Sequence, residues 1–198
     1  MAGQALFRGF GPVSVACTGV LALCIGGAQA GFPEIFCADQ FQFLQVWITV
    51  TVVASVFIIA HMCYRAKMLH GTQCGALLNR IFEQLVPPVC ATLSLTWAFT
   101  QYAQSQINAL PGIWLMMASL ACFSMAVSLG SKMRFVGSWY LVCGTAVLVV
   151  GLKQPLVVLS PWLLAIPFFA GQLGMALVLR IESSTDHSPG HYVEGQDS

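Results

Sequence analysis

The run FLQVWITVTVVASVFIIAHM, residues 43–62, decides the fold. It holds no Asp, Glu, Lys or Arg, and as a helix rising roughly 1.5 Å per residue it reaches about 30 Å, the thickness of a bilayer's hydrocarbon core. Such a run predicts a membrane span. Just beyond it the chain reads CYRAKMLHGTQCGALLNR, with Arg65, Lys67 and Arg80, whereas the loop before it carries only Glu34 and Asp39. By the positive-inside bias, the basic end faces the cytoplasm.

The rest of the chain has the same character. Of 198 residues, 58% are hydrophobic and only 8% charged, with a mean hydropathy of +0.80, so there is too little polar surface for a soluble domain. A net charge of +1, scattered over short loops, forms no basic face, which excludes nucleic-acid binding. Among the cysteines only Cys37 falls in an outer loop, and a lone outer thiol makes no disulfide framework. Most of the others are expected to be small packing residues of a helix bundle.

Working outward, apolar runs predict six transmembrane helices at about 11–30, 43–62, 88–102, 111–129, 135–151 and 156–179. Between the second and third, residues 74–86 alternate Leu77, Leu78, Ile81, Phe82 and Leu85 with Asn79, Arg80, Glu83 and Gln84 at helical spacing. That pattern predicts an amphipathic helix lying at the membrane surface, ended or kinked by Pro87-Pro88. The uncharged loop 101–110 belongs outside, and Lys132 and Arg134 inside. The expected fold is therefore all-α: one polytopic bundle over residues 1–180 with both termini cytoplasmic, then a disordered acidic tail over 181–198. Arg8, the apolar stretch Pro12 to Gly27 and Ala28-Gln29-Ala30 together resemble a secretory signal, but the packing pattern of this segment favours a retained helix.

That pattern is a line of small residues, Ser14, Thr18, Ala22, Gly26 and Ala30, at successive i+4 positions. A second line, Gly137, Gly144 and Gly151, repeats every seventh residue in the fifth span. Small faces let helix backbones approach closely in lipid, so both lines are expected to be helix-packing seams. The last span is interrupted by Pro161 and Pro167 and carries Gln172, its one amide at depth, making these three a possible pocket.

Chemistry-bearing groups are sparse. His61, Cys63, His70 and Cys74 are zinc-compatible, but H-x-C-x6-H-x3-C is no established zinc spacing, and no metal or cofactor is expected. Glu34 and Asp39 read as solvated loop charges. No acidic, basic or imidazole group lies at mid-depth, which argues against ion-coupled transport and bis-His haem binding. No C-x-x-C, P-loop, G-x-S-x-G or H-E-x-x-H motif supports dithiol exchange or catalysis. With almost no mass outside the bilayer, the first expectation is a non-enzymatic accessory, assembly or scaffold subunit that meets other membrane proteins through helix contacts. The alternative is a small transporter, channel or lipid-handling protein for an uncharged or lipid-like substrate. Membrane lipids are expected partners in either case, and nothing in the chain specifies which membrane.

The topology is checked by labelling intact cells with a membrane-impermeant maleimide: Cys37 reacts from outside, and Cys74 only after permeabilisation. Equal reaction of both in intact cells removes the six-pass arrangement.

Overall fold

The computed structural model describes residues 12–36, 39–70, 74–153 and 160–185, with backbone alone at 62, 63, 65–70, 74–82, 128, 129 and 182–185. It consists of helices α1 (Pro12–Gly31), α2 (Pro33–Phe36), α3 (Gln40–His70), α4 (Cys74–Tyr102), α5 (Leu110–Leu129), α6 (Met133–Lys153) and α7 (Trp162–Thr185), with a 3-10 turn at Gln104–Ala109. No strand occurs among the described residues. Five segments are long and apolar enough to cross a membrane: Pro12–Gly31, Gln40–His61, Gln104–Val127, Met133–Lys153 and Trp162–Ile181. The chain is thus a helical bundle of the multi-pass membrane type.

Neighbouring helices run in opposite directions. α1 lies along α7, where Gly26 faces Ala165 and Gly19 faces Phe169 and Gln172. α5 lies along α6, where Gly112 faces Leu148, Gly144 faces Met116 and Gly137 faces the Phe123 ring. α4 runs against α5, tied by the Trp114 indole N–H donating to Thr96 Oγ1 at 2.9 Å. α6 meets α7 where Tyr140 packs edge-on to Phe168, with ring centroids 6.2 Å apart. The starts of α3, α5 and α7 and the ends of α1, α4 and α6 therefore gather at one end of the bundle. The opposite end carries Arg65, Lys67, Arg80, Lys132, Arg134 and Arg180.

Several local expectations change. The interfacial helix and third span merge into one 29-residue helix, α4, that runs through Pro87 and Pro88. Each proline removes an N–H donor from the helix ladder. Ending the helix there would strand further backbone groups, each costing several kcal/mol in hydrocarbon, on the order of what the prolines themselves cost. The hydroxyls of Thr92 and Thr96 add bonds to the carbonyls of Pro88 and Thr92, both at 2.7 Å. The same prolines, threonines and polar ends keep α4 out of the set of five apolar segments, so five rather than six meet that measure.

The expected outer loop 101–110 is mostly the 3-10 turn, with Ile107, Asn108 and Ala109 buried, because it wedges between α4, α5 and the end of α6. α7 starts after Pro161 and continues to Thr185, so the tail does not begin at 181; residues 186–198 lie outside the described set. Residues 154–159, in the expected sixth span, lie outside it too. Most of these thiols were expected to be packing residues; Cys122 is buried and Cys143 half-buried, but Cys17, Cys24 and Cys90 are exposed on the bundle surface. Thiols tolerate lipid contact because they are weakly polar.

The packing seams explain which glycines matter. A methyl group on Gly26 would come within 2.5 Å of Ala165 Cβ, and one on Gly144 within 2.9 Å of Met116 Cγ. Gly26→Leu and Gly144→Leu are each expected to lower the thermal midpoint in detergent, with an overpacking cost of about 1–3 kcal/mol. Gly174→Ala, whose new methyl would sit 3.5 Å from Val136 Cγ2, leaves the midpoint unchanged.

Candidate functional site

Polar side chains buried in this bundle are few and uncharged: Ser14, Thr18, Gln29, Asn108 and Ser119. They concentrate in two places. The first is a three-helix junction. Thr18 Oγ1 on α1 donates to the Val15 carbonyl at 2.7 Å and lies 3.2 Å from Gln172 Oε1 on α7. Gln172 Nε2 donates to Tyr140 Oη on α6 at 3.4 Å, and that hydroxyl donates to the Phe168 carbonyl at 3.3 Å. Gly171 makes the junction possible, since a Cβ there would fall 2.2 Å from Tyr140 Cζ. Next to it, the Trp139 indole donates to the Pro167 carbonyl at 3.1 Å.

Gln172 and Pro167 therefore both tie α7 to α6. Pro161 sits apart, in the turn before α7 and near Gly26. Of the two expected seams, Ser14, Thr18, Ala22 and Gly26 are buried along α1, and Gly137, Gly144 and Gly151 along α6. Ala30 is exposed, one turn past the closest approach of α1 to α7. Tyr140 lies on the same face of α6 as Gly137 and Gly144 and is only 1% exposed. Its spacing of three from Gly137 and four from Gly144 was the legible signal that it shares their inward face.

The second place is a clasp between α1 and the start of α3. Trp47 Nε1 donates to Gln29 Oε1 at 2.8 Å, with both residues almost fully enclosed, and Gln29 Nε2 reaches the Phe36 carbonyl at 3.4 Å. Asp39 Oδ1 accepts from the Gln42 N–H at 2.6 Å, and Gln42 Nε2 donates to the Ile35 carbonyl at 2.7 Å. Asp39 thus caps α3 and α2 is pinned between the two longer helices. The amide on α1 that draws Trp47 inward is too distant in sequence to be read.

Beyond this clasp α3 loses its grip on the bundle. Phe43, Leu44 and Trp47 are buried. Steps of three and four residues continue the same helical face through Val50, Thr51, Ala54, Ser55, Ile58 and His61. None of these is buried: Val50, Ala54, Ile58 and His61 are half-buried and Thr51 and Ser55 are exposed. The span is 17% buried, against 28% to 44% for the other four. α3 is therefore little covered toward the basic end, where Thr51 and Ser55 are exposed. There His61 stacks on Phe57, centroids 6.3 Å apart, and buries Nδ1 with no hydrogen-bond partner among the described residues.

No group of three metal-ligating side chains occurs among the described residues; the side chains of Cys63, His70 and Cys74 lie outside them. Comparison of the chain with known protein families, with curated proteins and with solved structures finds no match.

The two clasps differ in consequence. Trp47→Phe leaves the enclosed Gln29 oxygen without its donor and is expected to cost about 1–3 kcal/mol of stability. Tyr140→Phe loses only long hydrogen bonds and costs about 0.6 kcal/mol, the average for such bonds between membrane helices. Unfolding titrations in mixed micelles measure both.

Proposed function

We propose that this is a non-enzymatic, six-pass membrane protein that handles a lipid-like molecule along the uncovered face of α3, with both termini and the basic helix ends in the cytoplasm. The observation that carries the reading is the loss of burial along a single face of α3, from the enclosed Trp47 to the exposed Thr51 and Ser55. A helix face left uncovered at membrane depth meets lipid, and its sparse hydroxyls suit an amphiphile better than an ion. The absence of charge among the buried residues agrees with a substrate whose buried part is uncharged. Six crossings are supported by the chain path: α3 and α5 both start at the same end, so α4 returns the chain between them even though its hydropathy is low.

An accessory or assembly role is the second reading. The small-residue seams that would seat a partner are filled by this chain's own α7 and α5, which moves any such seat to the outward side of α3, where Val52, Val53 and Val56 are exposed. That role predicts a second membrane protein retained through purification in mild detergent.

Lipid handling is tested with proteoliposomes containing only this protein and a fluorescent phosphatidylcholine, read by quenching of the outer leaflet. Exchange between leaflets is expected to be faster than in protein-free vesicles and to slow in Ser55→Leu, which replaces an exposed hydroxyl of this face with a bulky apolar group. A rate equal to that of empty vesicles overturns the reading.

A further inference from the structure

The connection from α1 to α3 is too short to leave the membrane surface, since one apolar segment ends at Gly31 and the next begins at Gln40. Within it the backbone turns at a single residue. The Phe32 N–H still donates to the Ala28 carbonyl of α1 at 2.9 Å, while the Phe32 carbonyl accepts from the N–H groups of Ile35 and Phe36 at 3.1 and 3.2 Å and so opens α2. Side chains from both neighbouring helices then fix how α2 lies: Gln29 Nε2 on α1 donates to the Phe36 carbonyl at 3.4 Å, and Gln42 Nε2 on α3 to the Ile35 carbonyl at 2.7 Å. A short helix tied from two sides at adjacent carbonyls is not free to roll.

Held in this way, the connection has an apolar side and a charged one. Phe32 and Ile35, three residues apart and so on one face, are each 61% exposed, and Phe41 is exposed just beyond them. Glu34 falls on the other side of the turn and is also exposed, as is Asp39. Apolar side chains set opposite carboxylates suit the boundary between hydrocarbon and water, where each side meets its own solvent. A second observation places that boundary at this end of the bundle. Near the end of α4 the Trp97 and Tyr102 rings meet edge to face, centroids 5.7 Å apart, and both are exposed, as is usual for these residues at headgroup level.

We infer that α2 is an interfacial anchor, lying in the leaflet opposite the basic helix ends with Phe32, Ile35 and Phe41 among the upper acyl chains and Glu34 and Asp39 turned to water. Lipid rather than a partner protein is the occupant, because this face continues the membrane-facing surface of the two apolar segments that it joins. The only charges on the connection are its two carboxylates, so the anchor requires acyl chains and no anionic headgroup. It rests on the membrane class of the fold and not on lipid handling along α3.

Photo-crosslinking tests it, with p-benzoylphenylalanine placed singly at position 32, 34, 35 or 142 of the full chain in phosphatidylcholine vesicles at low protein density, and adducts read by mass spectrometry. Val142, exposed on α6 within its apolar segment, serves as the lipid-facing standard. Phospholipid adducts are expected at 32 and 35 in yields close to that at 142 and several-fold above that at 34. In Gln42→Leu, which removes the tie to the Ile35 carbonyl, the contrast between 35 and 34 is expected to shrink. Yields at 32 and 35 no higher than at 34 while 142 reacts, or crosslinks from 32 and 35 to a second chain in place of lipid, overturn the inference. An undiminished contrast in Gln42→Leu overturns the role given to the side-chain ties. Leaflet exchange does not enter any of these readouts, so failure here and failure of the lipid-handling reading are told apart.

Discussion

In hydrocarbon there is no solvent to squeeze helices together, so a bundle coheres through how closely its backbones approach and how completely its polar atoms are paired. Here close approach is concentrated in two helix pairs. Gly112 and Gly144 seat α5 on α6, the former so tightly that a Cβ would lie 2.6 Å from the Leu148 nitrogen, and Gly19 and Gly26 seat α1 on α7. Tyr140, held over Gly171, joins one pair to the other. Everything else is arranged around these four helices, with α4 laid against α5 and α3 hung from the far side.

This division explains why the bundle has a rigid part and a loosely attached part. The rigid part uses small residues and one aromatic wedge, giving dispersion contacts over long stretches. Below Trp47, α3 has no glycine among its residues, and the same helical face carries Thr51 and Ser55, both exposed. α3 is thus fastened near its start and little buried along the rest of its span.

Much of the fold was legible in the amino acids because bilayer thickness imposes a length on any apolar helix. The seams were legible as well, since Thr18, Ala22 and Gly26 recur at i+4 and Gly137 and Gly144 at i+7. Their partners were not, because nothing local to Gly26 points to Ala165, nor local to Gly171 to Tyr140. Gln172 stood out as an amide at depth, yet its role as a tie between helices depends on Thr18 and Tyr140, both distant in the chain. Pro87-Pro88 misled for a physical reason: in water two prolines end a helix cheaply, whereas in lipid continuing it is the lesser cost.

The lengths of α3 and α4 carry a consequence of their own. At 31 and 29 residues they extend roughly 45 Å, against about 30 Å of hydrocarbon. The Trp47 and Trp114 bonds hold the start of α3 and the end of α4 in the bundle, so the surplus length lies toward the opposite end. Two helices longer than the hydrocarbon is thick must tilt, bend or project beyond it.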